Sequence, residues 1–567
     1  MSFFKSNSIL KNPKFYLWYY IIVNMVPSLY FVFTEPVNFW GQCVIFIFPI
    51  ALFLFIFSIY RNSGVMQIIC IPLLVLHAFQ IVLFYLFGTD VIASDMFINV
   101  VTTNTSEVDE LLSSLLPSIV LVIVLYLPTI ILGIRQWRLK IRLATSFRYK
   151  MVVASVLLFL MSYGLSFLAV DRNTNFFKYS HDVYPINALY NLKYATVKWN
   201  KVKHYKETSK DFTFGSSRIK SSDQRQIFVL VVGETSRADN WELYGYERNT
   251  NPKLKDQENL FVFKDALTQS NTTHKSVSII LSDSEAEGYN LIYNKKGILT
   301  AFKEAGFTTI CLSSQAENAS FIEFFTKEAD IYKTIRYKDP VTGESKNPYD
   351  AELLPLLDDL ITSTPGDLFV LIHSYGSHFN YMDRYPESFK KFTPDLVTDV
   401  SKSSKQQLIN AYDNSILYTD YFLSETIDLL KKFDAETAFL YTSDHGEDLF
   451  DDKRGRFLHA SPSPTYYQLR IPIVMWFSPQ FIEGYPDKII AAENNLLKGI
   501  STNAIYHTFI DAANIDTQYY NSELSLINNE FKEKERMYLN DHDKAVPYKR
   551  MNLKKQDFEM LAKNNIK

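Results

Sequence analysis

Three separated segments of the chain gather carboxylates and imidazoles: Gly233-Glu234-Thr235, His373 with Gly376-Ser377-His378, and Ser443-Asp444-His445-Gly446-Glu447. An oxygen-rich donor set with one or two histidines suits a catalytic Zn²⁺ or Mn²⁺ ion, whereas a structural zinc prefers thiolates. Asp444 and His445 are adjacent, and both can ligate one ion only where the chain has left a strand, because within a strand neighbouring side chains point to opposite faces. An Asp-His pair alone reads as a hydrogen-bonded loop; with Glu234 and a histidine-bearing third segment, a metal becomes the favoured reading. A fourth segment, Ser270-Asn271-Thr272-Thr273-His274-Lys275-Ser276, places hydroxyls just before the apolar run 277–281, the buried face of an expected helix. Free N–H groups and the dipole at a helix N-terminus favour a phosphate or an alkoxide, so a hydroxyl there beside a metal is a candidate nucleophile. The same residues also read as an N-cap, with Thr272 or Thr273 as the capping residue, and the segment alone does not choose.

Short β-branched and aromatic runs precede these segments. Strands are expected at 226–232, 308–312, 368–372 and 437–441, alternating with helical patterns, as in a parallel sheet covered on both faces. In such a sheet ligands bind outside the carboxyl ends of the strands, which is where Glu234, the His373 to His378 segment and Asp444-His445 fall. The fold class expected for this part is α/β.

The sequence has 567 residues, 47% of them hydrophobic and 15% aromatic, and a formal net charge of -3 from 58 Lys+Arg against 61 Asp+Glu. That balance argues against a nucleic-acid binder, which needs a basic surface. A mean hydropathy of -0.06 averages two unlike parts. Before about residue 170, five apolar stretches, 16–33, 42–60, 65–87, 115–134 and 151–170, each approach the roughly 20 residues that cross a bilayer as a helix. Lys5, Lys11 and Lys14 precede the first, but no small-residue cleavage site follows, so it reads as a retained helix. The loop 135–150 carries Arg135, Arg138, Lys140, Arg142, Arg148 and Lys150, whereas the loop before it carries Asp90, Asp95, Glu107, Asp109 and Glu110 with no base. Basic loops stay in the cytoplasm, which puts the N-terminus inside and everything after the fifth span outside. Residues 187–203 mix aromatics with lysines, a composition suited to a membrane surface, and 206–225 read as a linker. The expected division is 1–170 for the spans, 171–225 for the interfacial helix and linker, and 226–567 for the catalytic part. Of three cysteines, Cys43 and Cys70 lie in apolar runs and Cys311 is alone in the polar part, which excludes a disulfide scaffold there.

The block from Val231 to Pro252, VVGETSRADNWELYGYERNTNP, resembles the phosphoethanolamine transferases, a membrane-bound branch of the alkaline phosphatase and sulfatase superfamily whose lipid A modifying members confer polymyxin resistance. Ser443 to Glu447 followed by Leu458-His459 is a second such signature, and Thr103-Asn104-Thr105-Ser106-Glu107 is similar to the family's outer loop between the third and fourth spans. The resemblance implies five spans joined to a periplasmic alkaline-phosphatase-like α/β/α sandwich, in a monomer of the bacterial inner membrane. It implies one or two zinc ions held by Glu234, Thr273, Asp444 and His445, with Thr273 as the nucleophile. It places His378 and His459 near the substrate phosphate, and Asn104 and Glu107 on the lipid-facing side. The expected reaction moves phosphoethanolamine from phosphatidylethanolamine to lipid A, lipopolysaccharide core or another envelope glycan through a phosphoethanolamine-threonine intermediate. Phosphoglycerol transfer or sulfatase-like hydrolysis is the nearest alternative; a catalytically dead membrane scaffold is the alternative from another class. Two departures stand out. The lipid A enzymes surround their nucleophile with cysteines and carry periplasmic disulfides, whereas only Cys311 is available in this part of the chain, and they often have His-Gly where this chain has His459-Ala460. His274 and Lys275 follow the nucleophile, and either a phosphate contact or a supporting role is open to them. His77 lies within a span, and His507 reads as structural.

Overall fold

The structure, a computed structural model, describes residues 8–88, 90–102, 115–172, 175–219, 222–315, 321–338, 345–346, 348–397, 404–551 and 553–566. The chain forms two compact units, Met1–Phe97 with Leu115–Thr196, and Ile98–Ser114 with Val197–Lys567.

The first unit is helical. Its elements include α1 (Pro13–Asn24), α2 (Val26–Thr34), α3 (Phe39–Ile59), α4 (Ser63–Ile69), α5 (Ile71–Phe87), α6 (Leu116–Arg138) and α7 (Thr145–Ser166). Three of these, α3, α6 and α7, are long and apolar enough to cross a membrane, and the number is five if α1 with α2 and α4 with α5 each form one bent span. The bends are 41° and 62°. Pro27 and Pro72 sit in the first turn after each break, where they remove a backbone donor and crowd the preceding turn. The two breaks also share buried polar side chains. Asn24 Nδ2 donates to Gln67 Oε1 at 3.2 Å, and Gln67 Nε2 to Thr129 Oγ1 at 2.9 Å. Gly64 and Gly133 let α4 and α6 touch through their backbones, since a Cβ on Gly64 would lie 2.6 Å from the Gly133 carbonyl oxygen. His77 is buried and 2.7 Å from the Tyr184 hydroxyl.

The second unit is built on a seven-stranded sheet. Its strands are β1 (Gln226–Gly233), β2 (Leu260–Phe263), β3 (Thr308–Ser313), β4 (Ile331–Thr334), β5 (Leu368–His373), β6 (Glu436–Ser443) and β7 (Ile473–Phe477), in the spatial order β2-β7-β6-β1-β5-β3-β4. The five strands from β6 to β4 run parallel, and β7 and β2 add an antiparallel edge. The four strands expected from sequence all occur, each slightly longer; β2, β4 and β7 were not anticipated. Phe228, Leu230 and Val232 face one core, which includes Phe302, Phe369, Leu371, Leu440 and Phe509. Ile227, Val229 and Val231 on the opposite face are fully buried too, as the unbroken apolar runs require of a sheet covered on both sides. Register does the positioning. Ser443 pairs with Gly233 and Val232 with His373, so β1, β5 and β6 end at one level.

Candidate active site

Glu234 is the first residue beyond β1, and Asp444 and His445 are the first two beyond β6, so the sheet register alone brings these segments side by side. Thr235, next to Glu234, has a φ of 62°, a costly conformation for a β-branched residue. It turns the chain so that the Thr235 N–H donates to Asp444 Oδ1 at 2.9 Å and the Thr235 hydroxyl to Glu234 Oε1 at 3.0 Å. Asp444 Oδ1 also accepts the His445 N–H at 2.7 Å, which leaves Oδ2 turned toward His445 Nε2 at 3.0 Å. His445 Nδ1 faces the Gly446 carbonyl at 2.9 Å; a carbonyl only accepts, so Nδ1 carries the proton and Nε2 presents a lone pair. Only glycine fits at 446, because a Cβ there would lie 2.1 Å from the Tyr467 carbonyl oxygen.

Thr273 opens the helix α8 (Thr273–Ile280). Its hydroxyl donates to Glu234 Oε1 at 3.0 Å and lies 3.2 Å from His445 Nε2. Thr272 occupies the N-cap position but makes no side-chain cap bond, and its hydroxyl meets Ser270 Oγ at 3.1 Å instead. Of the two threonines, Thr273 is the one whose hydroxyl meets Glu234 and His445.

His459 follows a short antiparallel pair, Asp448–Leu449 with Phe457–Leu458. Its ring centroid is 4.1 Å from that of His445, and its Nδ1 is 3.2 Å from Glu447 Oε1. Leu458 and Ala460 on either side have φ of 67° and 60°. His378 lies on the loop after β5, with Nδ1 donating to the Phe379 carbonyl at 2.5 Å and its ring 6.2 Å from that of His459. That loop lies against Glu234 through Gly376, at φ 55°, where a Cβ would sit 2.7 Å from the Glu234 carbonyl oxygen. Asp350 pins it, accepting from the N–H groups of Tyr375 and Gly376 at 2.8 and 2.9 Å.

The electrostatics favour a cation at the centre. Burial, aided by Asp444, pushes Glu234 well above the usual carboxylate range, and burial lifts Asp444 to about 7. Burial lowers His445 and His459 to about 4 each, and takes His378 well below the usual imidazole value with help from Arg384. Two buried carboxylates that resist ionising beside neutral imidazoles suit a divalent ion, which would hold the acids ionised and accept the ring lone pairs. Glu234, His445 and His459 each offer a ligand atom within 4.8 Å of one another, and Asp444 Oδ2 and Thr273 Oγ1 lie beside them. The donor set, oxygen-rich with imidazole nitrogen, fits zinc.

Sequence reasoning assigned no role to Glu447, Arg237 or Asp350. Glu447 is fully buried and orients His459; its place in the Ser443 to Glu447 signature was the available signal. Arg237, also buried, donates to the Glu447 carbonyl at 2.9 Å and to Asp451 at 2.8 Å. His507 accepts the Asn521 N–H at 3.2 Å within the core, a structural part. Asn104 and Glu107 lie outside the described residues.

The family model "Sulfatase" matches residues 226–515, half of the chain and every residue of this site. The chain belongs to the sulfatase family. Residues 49–199 match a second model, "Phosphoethanolamine transferase EptA/EptB". Among curated relatives, phosphoethanolamine transferase EptA of Escherichia coli (strain K12) is 30% identical over 312 residues, 53% of this chain and 56% of that protein. The Kdo(2)-lipid A phosphoethanolamine 7''-transferase of the same strain is 31% identical over 263 residues, 45% of each chain. The chain thus spans about half the length of the curated relatives it matches. Of solved structures, the integral membrane protein lipooligosaccharide phosphoethanolamine transferase A (EptA) from Neisseria meningitidis shares the fold at a TM-score of 0.70 and 22% identity, over 89% of this chain and 98% of that one. The C-terminal periplasmic domain of EptC from Escherichia coli, solved in complex with Zn, matches at 0.53 and 25% identity, over 60% of this chain and 97% of that one.

Proposed function

We propose that this chain is a zinc-dependent phosphoethanolamine transferase that moves phosphoethanolamine from phosphatidylethanolamine to an envelope glycolipid, lipid A or lipopolysaccharide core. One observation carries the reading: the Thr273 hydroxyl, at a helix N-terminus, is held by Glu234 at 3.0 Å beside the lone pair of His445 at 3.2 Å. The names of the relatives and the Zn complex of the EptC domain support it.

Glu234, Asp444 and His445 would hold the ion, with Thr273 and His459 in reach. Zinc bound there supplies Lewis acidity that favours loss of the threonine proton and offsets charge on the phosphoryl oxygens. Thr273 Oγ1 attacks the donor phosphorus; the new Thr273 O–P bond forms as the P–O bond to diacylglycerol breaks, and the displaced threonine proton ends on the diacylglycerol hydroxyl. The acceptor oxygen then attacks the same phosphorus, the Thr273 O–P bond breaks, and the acceptor's proton returns to Thr273. Both imidazoles, neutral in this burial, relay those protons: His378 with Nε2 free to accept, His459 oriented by Glu447. The positive end of the α8 dipole lies at Thr273 and would favour the charge on the phosphoryl oxygens. On sequence grounds, acidic side chains of the outer loop that carries Asn104 and Glu107 recognise the ethanolamine ammonium.

Supplied with headgroup-labelled phosphatidylethanolamine, the purified protein should transfer label to lipid A; with headgroup-labelled phosphatidylglycerol it should not. The reverse preference would make it a phosphoglycerol transferase, and release of label to water alone a hydrolase.

We also place the chain in the bacterial inner membrane with an inside N-terminus, five spans within 1–170, an interfacial segment and linker over 171–225 and a periplasmic catalytic part over 226–567. A reporter active only in the periplasm should work when fused after Lys206 and fail near Thr145. The opposite pattern would overturn this orientation.

A further inference from the structure

The nucleophile helix has only eight residues, Thr273–Ile280, and an isolated helix that short does not hold its first turn in water. Nor does Thr272 cap it through its side chain. The restraint comes from a part of the chain beyond the matched sulfatase region, the β-hairpin of Met537–Leu539 with Ala545–Pro547. The Leu539 N–H donates to the Gln269 carbonyl at 2.7 Å, the Tyr538 hydroxyl to Asn271 Oδ1 at 2.6 Å, and the Tyr548 hydroxyl to the Thr268 carbonyl. At the hairpin tip, Lys275 Nζ donates to the Asn540 carbonyl at 2.8 Å and pairs with Asp543 Oδ1 at 3.0 Å. The same carboxylate oxygen is 2.8 Å from Lys198 Nζ, which also donates to the Asp541 carbonyl at 2.6 Å. Lys275 and Lys198 are 1% and 3% exposed, Asp543 is 8% exposed, and all three belong to the second unit. The tip is fixed in turn: Asn540 Oδ1 accepts from the N–H groups of His542 and Lys544 at 3.0 Å each, and Asp543 adopts a φ of 52° that aspartate tolerates better than most residues.

We infer that Lys275, Asp543 and Lys198 are positioning residues that fix the first turn of α8, so that Thr273 Oγ1 meets Glu234 and His445. Lys275 stands two residues after Thr273, about 200° around the helix, so the nucleophile and its anchor leave opposite sides of one turn. Such an anchor resists both rotation and translation of the turn. Buried ion pairs are weak evidence for stability as such; here the pairing joins three segments far apart in sequence and fixes their register. The inference rests on the reading of Thr273 as nucleophile, and its test separates the two.

Full-length Lys275→Met, Lys275→Arg and Asp543→Asn are compared with wild type by backbone amide exchange of the peptide covering residues 270–280, and by kcat and KM for labelled phosphatidylethanolamine. Lys275→Met and Asp543→Asn should speed exchange in that peptide and lower kcat about 10- to 100-fold, the cost of misplacing a reacting atom by about 1 Å. KM should stay within about twofold, because ground-state binding is untouched, and zinc content should not change. Lys275→Arg keeps the charge and the reach, and should recover most of the kcat. The double variant Lys275→Met with Asp543→Asn should cost no more than the worse single, since both break one link. Unchanged exchange and kcat in both single variants would overturn the inference, as would a loss confined to KM or one that Lys275→Arg fails to recover. Should Lys275→Met and Asp543→Asn not fold, Lys198→Met, which removes only the far arm, is read by the same criteria. Faster exchange in Lys275→Met and Asp543→Asn, with a wild type that transfers nothing, would uphold the anchor and sink the transferase reading instead.

Discussion

Asp444→Asn should empty the metal site while leaving the fold intact. In the wild type Asp444 Oδ1 accepts two backbone N–H groups, from Thr235 at 2.9 Å and His445 at 2.7 Å. The asparagine carbonyl must keep those bonds, so its amino group takes the place of Oδ2, 3.0 Å from His445 Nε2. Donor hydrogens then point where a cation would sit, and one of the two central negative charges is gone. Bound zinc should fall to near zero by elemental analysis, and transfer about a thousandfold or more. Without metal the variant should be the more heat-stable protein at pH 8. Burial raises Asp444 to about 7 in the folded chain, above its ordinary value of 3.8, so the metal-free wild type loses stability as pH rises through that range and the neutral amide does not. Melting of both proteins in chelator at pH 5 and pH 8 checks the sign: the gap should open at pH 8. Full zinc and full activity in the variant would show that the ion lies elsewhere.

The second large effect is expected at Thr273. Thr273→Ala removes the hydroxyl that Glu234 and His445 meet but leaves both of those residues and Asp444 in place. Zinc content should be unchanged and transfer should be lost, by about a thousandfold or more. Thr273→Ser loses only a methyl group. That methyl limits the rotamers of a β-branched side chain, so the serine hydroxyl is less often aimed at phosphorus, and a loss of about tenfold is expected. Equal loss in both variants would mean that the hydroxyl is not the reacting group.

The central strands were legible because a parallel strand buried on both faces is a continuous β-branched and aromatic run, as in Gln226–Gly233 and Glu436–Ser443. Ile473–Phe477 was missed although it is as apolar. It is antiparallel and pairs with the four-residue Leu260–Phe263, a partnership decided by tertiary contact rather than local pattern. Proline alone did not reveal the bent spans either. Pro49 and Pro128 lie inside unbroken helices, whereas the breaks near Pro27 and Pro72 have Asn24 and Gln67 hydrogen-bonded to each other. The site followed the same division. Glu234, Asp444 and His445 could be read from strand ends, because register carries them together. Thr273 and Thr272 could not be told apart from spacing, since neighbours on a helix point about 100° apart and only the helix start decides which faces the sheet edge. The anchor of Lys198, Lys275 and Asp543 left no sequence signal, because three common charged residues become a constellation only through long-range packing.

The covalent step can be tested by mass. Wild-type protein given phosphatidylethanolamine without acceptor, then quenched and digested, should carry a phosphoethanolamine group on the peptide containing Thr273, localised to that residue by fragmentation. Adding lipid A before the quench should discharge it. An adduct on Thr272, Ser270 or Ser276, or full transfer with no adduct at any residue under rapid quenching, would contradict transfer through Thr273.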